Sequence, residues 1–234
     1  MAVNRRALAL AGVCAVACSS LHPARAAARQ PDPDPARFAA EIRAFDDQDR
    51  TAMPPAGAVV FVGSSSIRLW PIAERFPGLP VLNRGFGGSH ISDVNHHVDV
   101  TVLRYRPKVV VFYAGDNDLA AGKTPDRVLG DYRTFVGRVR EALPGTAIVF
   151  VAVKPSLARW ATWPAARLLN ERIRAFSKSA PGLYYADIVP PMLDADGRPR
   201  PELFVGDGLH LSPAGYDIWT DVVRRSLAPL VGRP

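Results

Sequence analysis

Four apolar runs punctuate the chain: Val59 to Val62, Val81-Leu82, Val109 to Tyr113 and Ala147 to Val153. Each ends in a cluster of glycine, serine, asparagine or proline, the pattern of short strands buried on both faces. Between them the apolar residues return at helical spacing: Ile91, Val94, Val98 and Val102 in one segment, then Val128, Tyr132, Phe135, Val136 and Val139, then Leu168, Leu169, Ile173 and Phe176. Upstream, Phe38, Ile42 and Phe45 with acids between them predict an amphipathic helix laid on the outside of the sheet and ended by Pro54-Pro55. A fifth short strand is expected near Leu183-Tyr184-Tyr185. A last helix is expected from Ser212 as N-cap and Pro213 as first residue, running through Ile218, Trp219, Val222, Val223 and Leu227. Strands alternating with helices call for a three-layer α/β/α domain around a parallel sheet of about five strands joined by right-handed crossovers.

Composition adds domain organisation to this picture. A chain of 234 residues, 48% hydrophobic and 22% charged, suits one globular domain. Its amino terminus has a different pattern: Arg5 and Arg6 precede an apolar run, Ala7 to Ala17, too short to span a bilayer and typical of a secretory signal. Ala24-Arg25-Ala26 fits a small-x-small cleavage site. Ala15-Val16-Ala17-Cys18 resembles a lipoprotein box with alanine in place of the usual leucine, so a lipid anchor on Cys18 is the alternative to simple cleavage, and the arginine pair raises a twin-arginine route. The expected organisation is a signal peptide over 1–26, a linker and helix over 27–54 with the stiff stretch Gln30 to Pro35, and the main domain over 55–234. The protein is expected to be exported, periplasmic or secreted. Cys14 and Cys18 are the only cysteines, so the mature domain is expected to have no disulfide, thiolate nucleophile or cysteine metal site. The formal charge of +7 falls to 25 basic against 22 acidic residues once residues 1–30 are set aside. No basic run with interleaved aromatics suggests a nucleic-acid partner, and the charges read as a solvated surface.

Candidate chemistry follows the strands. Gly63-Ser64-Ser65-Ser66, the loop Asn83 to Ser89, Gly115-Asp116-Asn117-Asp118 and Lys154-Pro155-Ser156 each come directly after an apolar run, and Asp207-Gly208-Leu209-His210 precedes the last helix. In a parallel sheet such segments converge at the carboxyl edge of the strands, where ligands bind. Together they offer a hydroxyl (Ser65), an imidazole, a carboxylate to orient it and N–H donors, the parts needed for acyl transfer. The plainer readings stand beside this: three serines that cap a helix, an asparagine turn, tight glycine turns, and Asp207 with Ser212 as loop stop and cap. Asp93 and His97, with His96 and Asp99 nearby, lie four apart on a helix, but neither a motif nor a third ligand accompanies them; a solvated helix face and no metal are expected. The Gly85 to Gly88 loop lacks the last glycine of a dinucleotide fingerprint and the Lys-Ser/Thr of a P-loop, so no cofactor is expected.

Taken in order, Gly63-Ser64-Ser65, Gly87-Gly88, Gly115-Asp116-Asn117-Asp118 and Asp207-Gly208-Leu209-His210 resemble the blocks of the SGNH (GDSL-like) hydrolase family, most closely its platelet-activating-factor acetylhydrolase-like branch, over residues 58–230. The resemblance implies a flavodoxin-like fold, Ser65 as nucleophile, His210 as general base and Asp207 as its orienting carboxylate. It also implies an oxyanion hole from the backbone N–H groups of Ser65 and Gly88 and the side-chain amide of Asn117. The chain departs from the family at Ser64, usually aspartate, whose hydroxyl is expected to order the turn in part, and at Ser89, where an acid is common. Arg159, Trp160 and Trp163 lie in a long loop past a strand end, either walling an acyl or sugar pocket or packing on the next helix. The reading is an exported serine esterase for short-chain or acetyl esters of a carbohydrate or aryl alcohol, since nothing resembles a lipase lid. A lysophospholipase, a thioesterase, an acyltransferase to sugar and a non-catalytic surface binding protein are its alternatives.

Overall fold

The computed structural model describes Met1 and residues 31–232. Residues 2–26 of the expected signal segment, with Cys14 and Cys18, lie outside the described residues. The chain runs α1 (Ala39–Thr51), β1 (Val59–Gly63), α2 (Ser65–Arg68), α3 (Ile72–Arg75), β2 (Val81–Gly85), α4 (Ile91–His96), α5 (Val98–Thr101) and β3 (Val109–Tyr113). It continues through α6 (Asp116–Ala120), α7 (Pro125–Ala142), β4 (Ala147–Val151), α8 (Trp163–Lys178), β5 (Leu183–Ala186), α9 (Val189–Met192) and α10 (Pro213–Val231). Among the described residues no helix is long and apolar enough to cross a membrane.

The strands form one parallel sheet of order β2-β1-β3-β4-β5, the expected three-layer α/β architecture. Successive strand residues point to opposite faces. Val60, Val62, Val110, Phe112, Ile148 and Phe150 pack under α1, α4, α5, α7 and α8. Val59, Phe61, Val109, Val111, Tyr113, Val149 and Val151 pack under α2, α3, α9 and α10. Burial on both faces explains why these runs are apolar throughout and do not alternate. In this order the chain reverses direction across the sheet between β1 and β3, and the crevice beyond their carboxyl ends is where such sheets bind ligands.

Two expectations need correction. The segment Ile91 to Val102 is two helices meeting at His97, although Ile91, Val94, Val98 and Val102 all remain buried. The second half is β-branched at Val98, Val100, Thr101 and Val102, and the Thr101 hydroxyl donates to the His97 carbonyl at 2.9 Å, both of which weaken a continuous helix. The charges are not all solvated: Arg84, Asp93, Asp116, Asp118, Lys123 and Lys154 are buried. Asp93 belongs to an inward face, where it accepts from Arg37 at 2.5 Å and from the His90 N–H at 2.8 Å. Lys123 joins Asp118 and the linker residue Asp32, each at 2.8 Å, so the linker is tied to the domain at that point.

Candidate active site

The turn after β1 is shaped by glycine. Gly63 has φ +138°, and a Cβ there would lie 1.8 Å from the Tyr113 carbonyl oxygen, so no side chain fits. The Ser64 N–H donates to that carbonyl at 3.0 Å, and the Phe86 N–H donates to the Gly63 carbonyl at 2.9 Å, fixing the turn to both neighbouring strands. Helix α2 is a single turn that would not persist alone. It is pinned by Asn83, whose amide donates to the Ile67 and Trp70 carbonyls at 2.7 and 3.2 Å, and by Gly85, where a Cβ would meet the Arg68 nitrogen at 2.4 Å.

None of the three serines caps this helix. Ser64, the N-cap residue, is buried and makes no side-chain cap bond, so the backbone pairings order the turn and the expectation for its hydroxyl does not hold. Ser66 accepts from the Lys154 ammonium at 3.2 Å. Ser65, half-buried at the start of α2, has its Oγ 3.0 Å from His210 Nε2. Its backbone N–H, as the first in the helix, has no intrahelical acceptor.

His210 is held from behind by its own loop. Its Nδ1 lies 2.6 Å from Asp207 Oδ2, while Asp207 Oδ1 accepts from the Leu209 and His210 N–H groups at 2.8 and 2.9 Å. The imidazole bond, then these backbone bonds, hold the Asp207 carboxyl down at about 2, so it is ionised at neutral pH. A carboxylate on Nδ1 keeps that nitrogen protonated and leaves Nε2 free to accept the Ser65 proton. The loop closes through the Gly208 N–H to the Val205 carbonyl and the Val205 N–H to the His210 carbonyl, both 2.9 Å. Ser212 caps α10, accepting from the Gly215 N–H at 3.3 Å, while Asp207 both orders its own loop and bonds the imidazole.

Across the crevice, Asn117 sits in the first turn of α6 after β3. Its Nδ2 donates to the Ser89 carbonyl at 3.0 Å, tying it to the loop that carries Gly88. Gly88 is exposed with φ +79°, a left-handed backbone that favours glycine. The Asn117 Oδ1 accepts from Arg159 Nη2 at 2.9 Å. Arg159 also pairs with Asp116, whose other oxygen accepts from Lys154 Nζ at 2.8 Å and from the Tyr113 hydroxyl at 3.2 Å.

The structure therefore brings Ser65, His210 and Asp207 into one hydrogen-bonded line, and links Asn117 to Arg159. Trp160 and Trp163 stack on each other at 5.8 Å, and Trp163 lines a cavity of about 790 Å³ with Arg167, Arg174, Tyr185 and Leu193 that includes neither Ser65 nor His210. The sequence places Asp116 and Lys154 in the polar segments that follow two strands but assigns neither a role. A lysine closing an apolar strand run before a proline was the available signal, because a charge at that position is forced into the core and must find a partner.

Comparisons with known proteins agree with this architecture. The sequence model of the GDSL-like Lipase/Acylhydrolase family matches residues 68–218. Among solved structures, a Streptococcus pneumoniae protein provisionally described as a platelet activating factor is 18% identical, with TM-score 0.74 over 82% of this chain and 94% of its own. A GDSL-like lipase from Bacteroides thetaiotaomicron is 20% identical, with TM-score 0.69 over 80% and 97%. The catalytic domain of peptidoglycan O-acetyltransferase A from Streptococcus pneumoniae is 17% identical, with TM-score 0.57 over 77% and 97%. At these identities the likeness is one of fold. No curated protein sequence matches the chain.

Proposed function

Because the chain belongs to the GDSL-like lipase/acylhydrolase family, whose members hydrolyse carboxylic esters, we propose that it is an exported serine esterase acting through an acyl-enzyme on Ser65. The observation that carries this reading is the line Ser65 Oγ to His210 Nε2 at 3.0 Å and His210 Nδ1 to Asp207 at 2.6 Å. In the first half-reaction the Ser65 hydroxyl proton passes to His210 Nε2 as Oγ bonds the ester carbon and the carbonyl electrons move onto oxygen. The oxyanion is held by the Ser65 N–H, the Gly88 N–H and the second proton of Asn117 Nδ2, the first being engaged by Ser89. Collapse breaks the bond to the alcohol oxygen, which leaves with the proton from the imidazolium. Water then gives a proton to Nε2 and its oxygen to the acyl carbon, and a second collapse frees the acid and restores Ser65.

The acyl group is proposed to be short, acetyl or near it, on a carbohydrate or aryl alcohol. The rim beside the site is fixed: the Ala158 N–H donates to the Gly208 carbonyl at 3.0 Å, and a Cβ on Gly208 would meet the Leu157 side chain at 3.2 Å. This cross-bonding supports the short-chain reading. Export is proposed from Arg5, Arg6 and the apolar run that follows.

The test is hydrolysis of p-nitrophenyl esters of increasing chain length by residues 27–234, with Ser65→Ala as control. The wild type should favour the shortest acyl groups, and the variant should lose about 10⁴-fold or more in kcat/KM. A wild type no faster than Ser65→Ala on every ester would defeat the esterase reading.

A further inference from the structure

An asparagine in an oxyanion hole has two ends, and only one helps. With its nitrogen toward the substrate it donates to the developing oxyanion; turned by 180° it presents a carbonyl oxygen and repels it. The two partners of Asn117 decide between these states. The Ser89 carbonyl can only accept, so it demands the Nδ2 end, at 3.0 Å. The Arg159 guanidinium can only donate, so it demands the Oδ1 end, at 2.9 Å.

Arg159 is itself fixed. Its other amino nitrogen pairs with Asp116 Oδ1, and the second Asp116 oxygen accepts from Lys154 Nζ at 2.8 Å. The Lys154 ammonium has three protons and three partners: Asp116, the Tyr113 hydroxyl at 3.0 Å and Ser66 Oγ at 3.2 Å. Lys154 and Asp116 are 2% and 9% exposed at the side chain, so their positions are set by the core. One cluster, buried at Ser66, Lys154 and Asp116 and half-buried at Arg159 and Asn117, thus runs from the residue after Ser65 to the amide of Asn117, tying together two of the three proposed oxyanion donors.

We propose that Arg159, anchored through Asp116 to Lys154, is a positioning residue that fixes the orientation of the Asn117 amide, and that it is not a wall of the acyl pocket. This rests on the esterase reading above. A planar guanidinium reaches Asp116 and Asn117 at once; a lysine at this position, with one point of charge, cannot.

A double-mutant cycle with Asn117→Ala tests it. In the wild-type background Arg159→Ala should lower kcat about 10- to 100-fold, below the ~10²- to 10³-fold expected for losing the donor itself, with KM and acyl-length preference nearly unchanged. In the Asn117→Ala background the same substitution should cost less than about twofold, because nothing remains to orient. Arg159→Gln, which keeps an N–H for Asn117 Oδ1, should recover part of the lost kcat. If Arg159→Ala does not fold, the cycle is run with Arg159→Gln, whose smaller loss should likewise vanish beside Asn117→Ala. Equal losses in both backgrounds, or a change confined to KM and chain-length preference, would overturn the proposal. The esterase reading would be untouched by that result, since it falls only if the wild type fails to outpace Ser65→Ala.

Discussion

The two sides of the crevice are built in opposite ways. On one side His210 and Asp207 are 28% and 46% exposed at the side chain and are held by a loop, Val205 to His210, that bonds mainly to itself. On the other, Lys154 and Asp116 are 2% and 9% exposed, come from the ends of different strands, and bring Arg159 and Asn117 into register through the core. In the proposed mechanism the first side handles protons and needs contact with substrate and water, which fits its place at the surface and its local hydrogen bonds. The second side is proposed to hold the oxyanion, which calls for donors that do not reorient as charge develops, and the buried Lys154–Asp116 pair supplies that rigidity. Activity and stability should therefore respond differently to damage on each side.

Asp207→Asn should produce the largest separation. The amide can still accept the Leu209 and His210 N–H bonds, so the loop stays closed, but its NH2 group would favour the wrong imidazole tautomer. A loss on the order of 10⁴-fold in kcat is expected, with a melting temperature within about 2 °C of wild type. An equal fall in stability would mean that the exposed side is a structural element after all. Lys154→Met should do the reverse. It leaves a buried carboxylate with Arg159 as its remaining cation and should cost about 3 kcal/mol of unfolding free energy, read by urea denaturation. A change below about 1 kcal/mol would show that the buried cluster is not rigidly held.

The smallest effect concerns acid. The Asp207 carboxyl is lowered from 3.8 to about 2 by its bonds to His210 and to the loop N–H groups. A group depressed on folding contributes stability above its unfolded value and loses it as pH falls through the folded value. That contribution is thus complete above about pH 4 and disappears toward pH 2, and exposure to water keeps it small. Carboxyl carbon NMR should give an Asp207 midpoint near 2; a midpoint near 4 would show that the imidazole bond is not formed in solution.

The same contrast explains what the sequence could be read to say. The runs Val59 to Val62 and Val109 to Tyr113 are apolar because both sheet faces are covered, which is a local signal, and the pair Ser212-Pro213 marks the start of α10 at the expected residue. Asp207 and His210, three residues apart, were likewise legible as a unit. The bend at His97 was not, because it depends on a β-branched run outweighing an unbroken apolar period. Nor was the partnership of Lys154 with Asp116 or of Arg159 with Asn117, which lie 38 and 42 residues apart in the chain and meet only once β3 and β4 are paired. Arg159 in particular reads in the sequence as a pocket wall or a packing residue; only its neighbours show that it bonds an amide.

The central claim is that Ser65 is made nucleophilic by His210. Intact-mass measurement after exposure to a fluorophosphonate tests it directly, since the reagent bonds an activated serine Oγ and expels fluoride. The account predicts one adduct, mapped by peptide mass to Ser65, absent from Ser65→Ala and formed at least about 10²-fold more slowly in His210→Ala. No adduct on the folded wild type, or labelling of Ser65 at the same rate without His210, would contradict it.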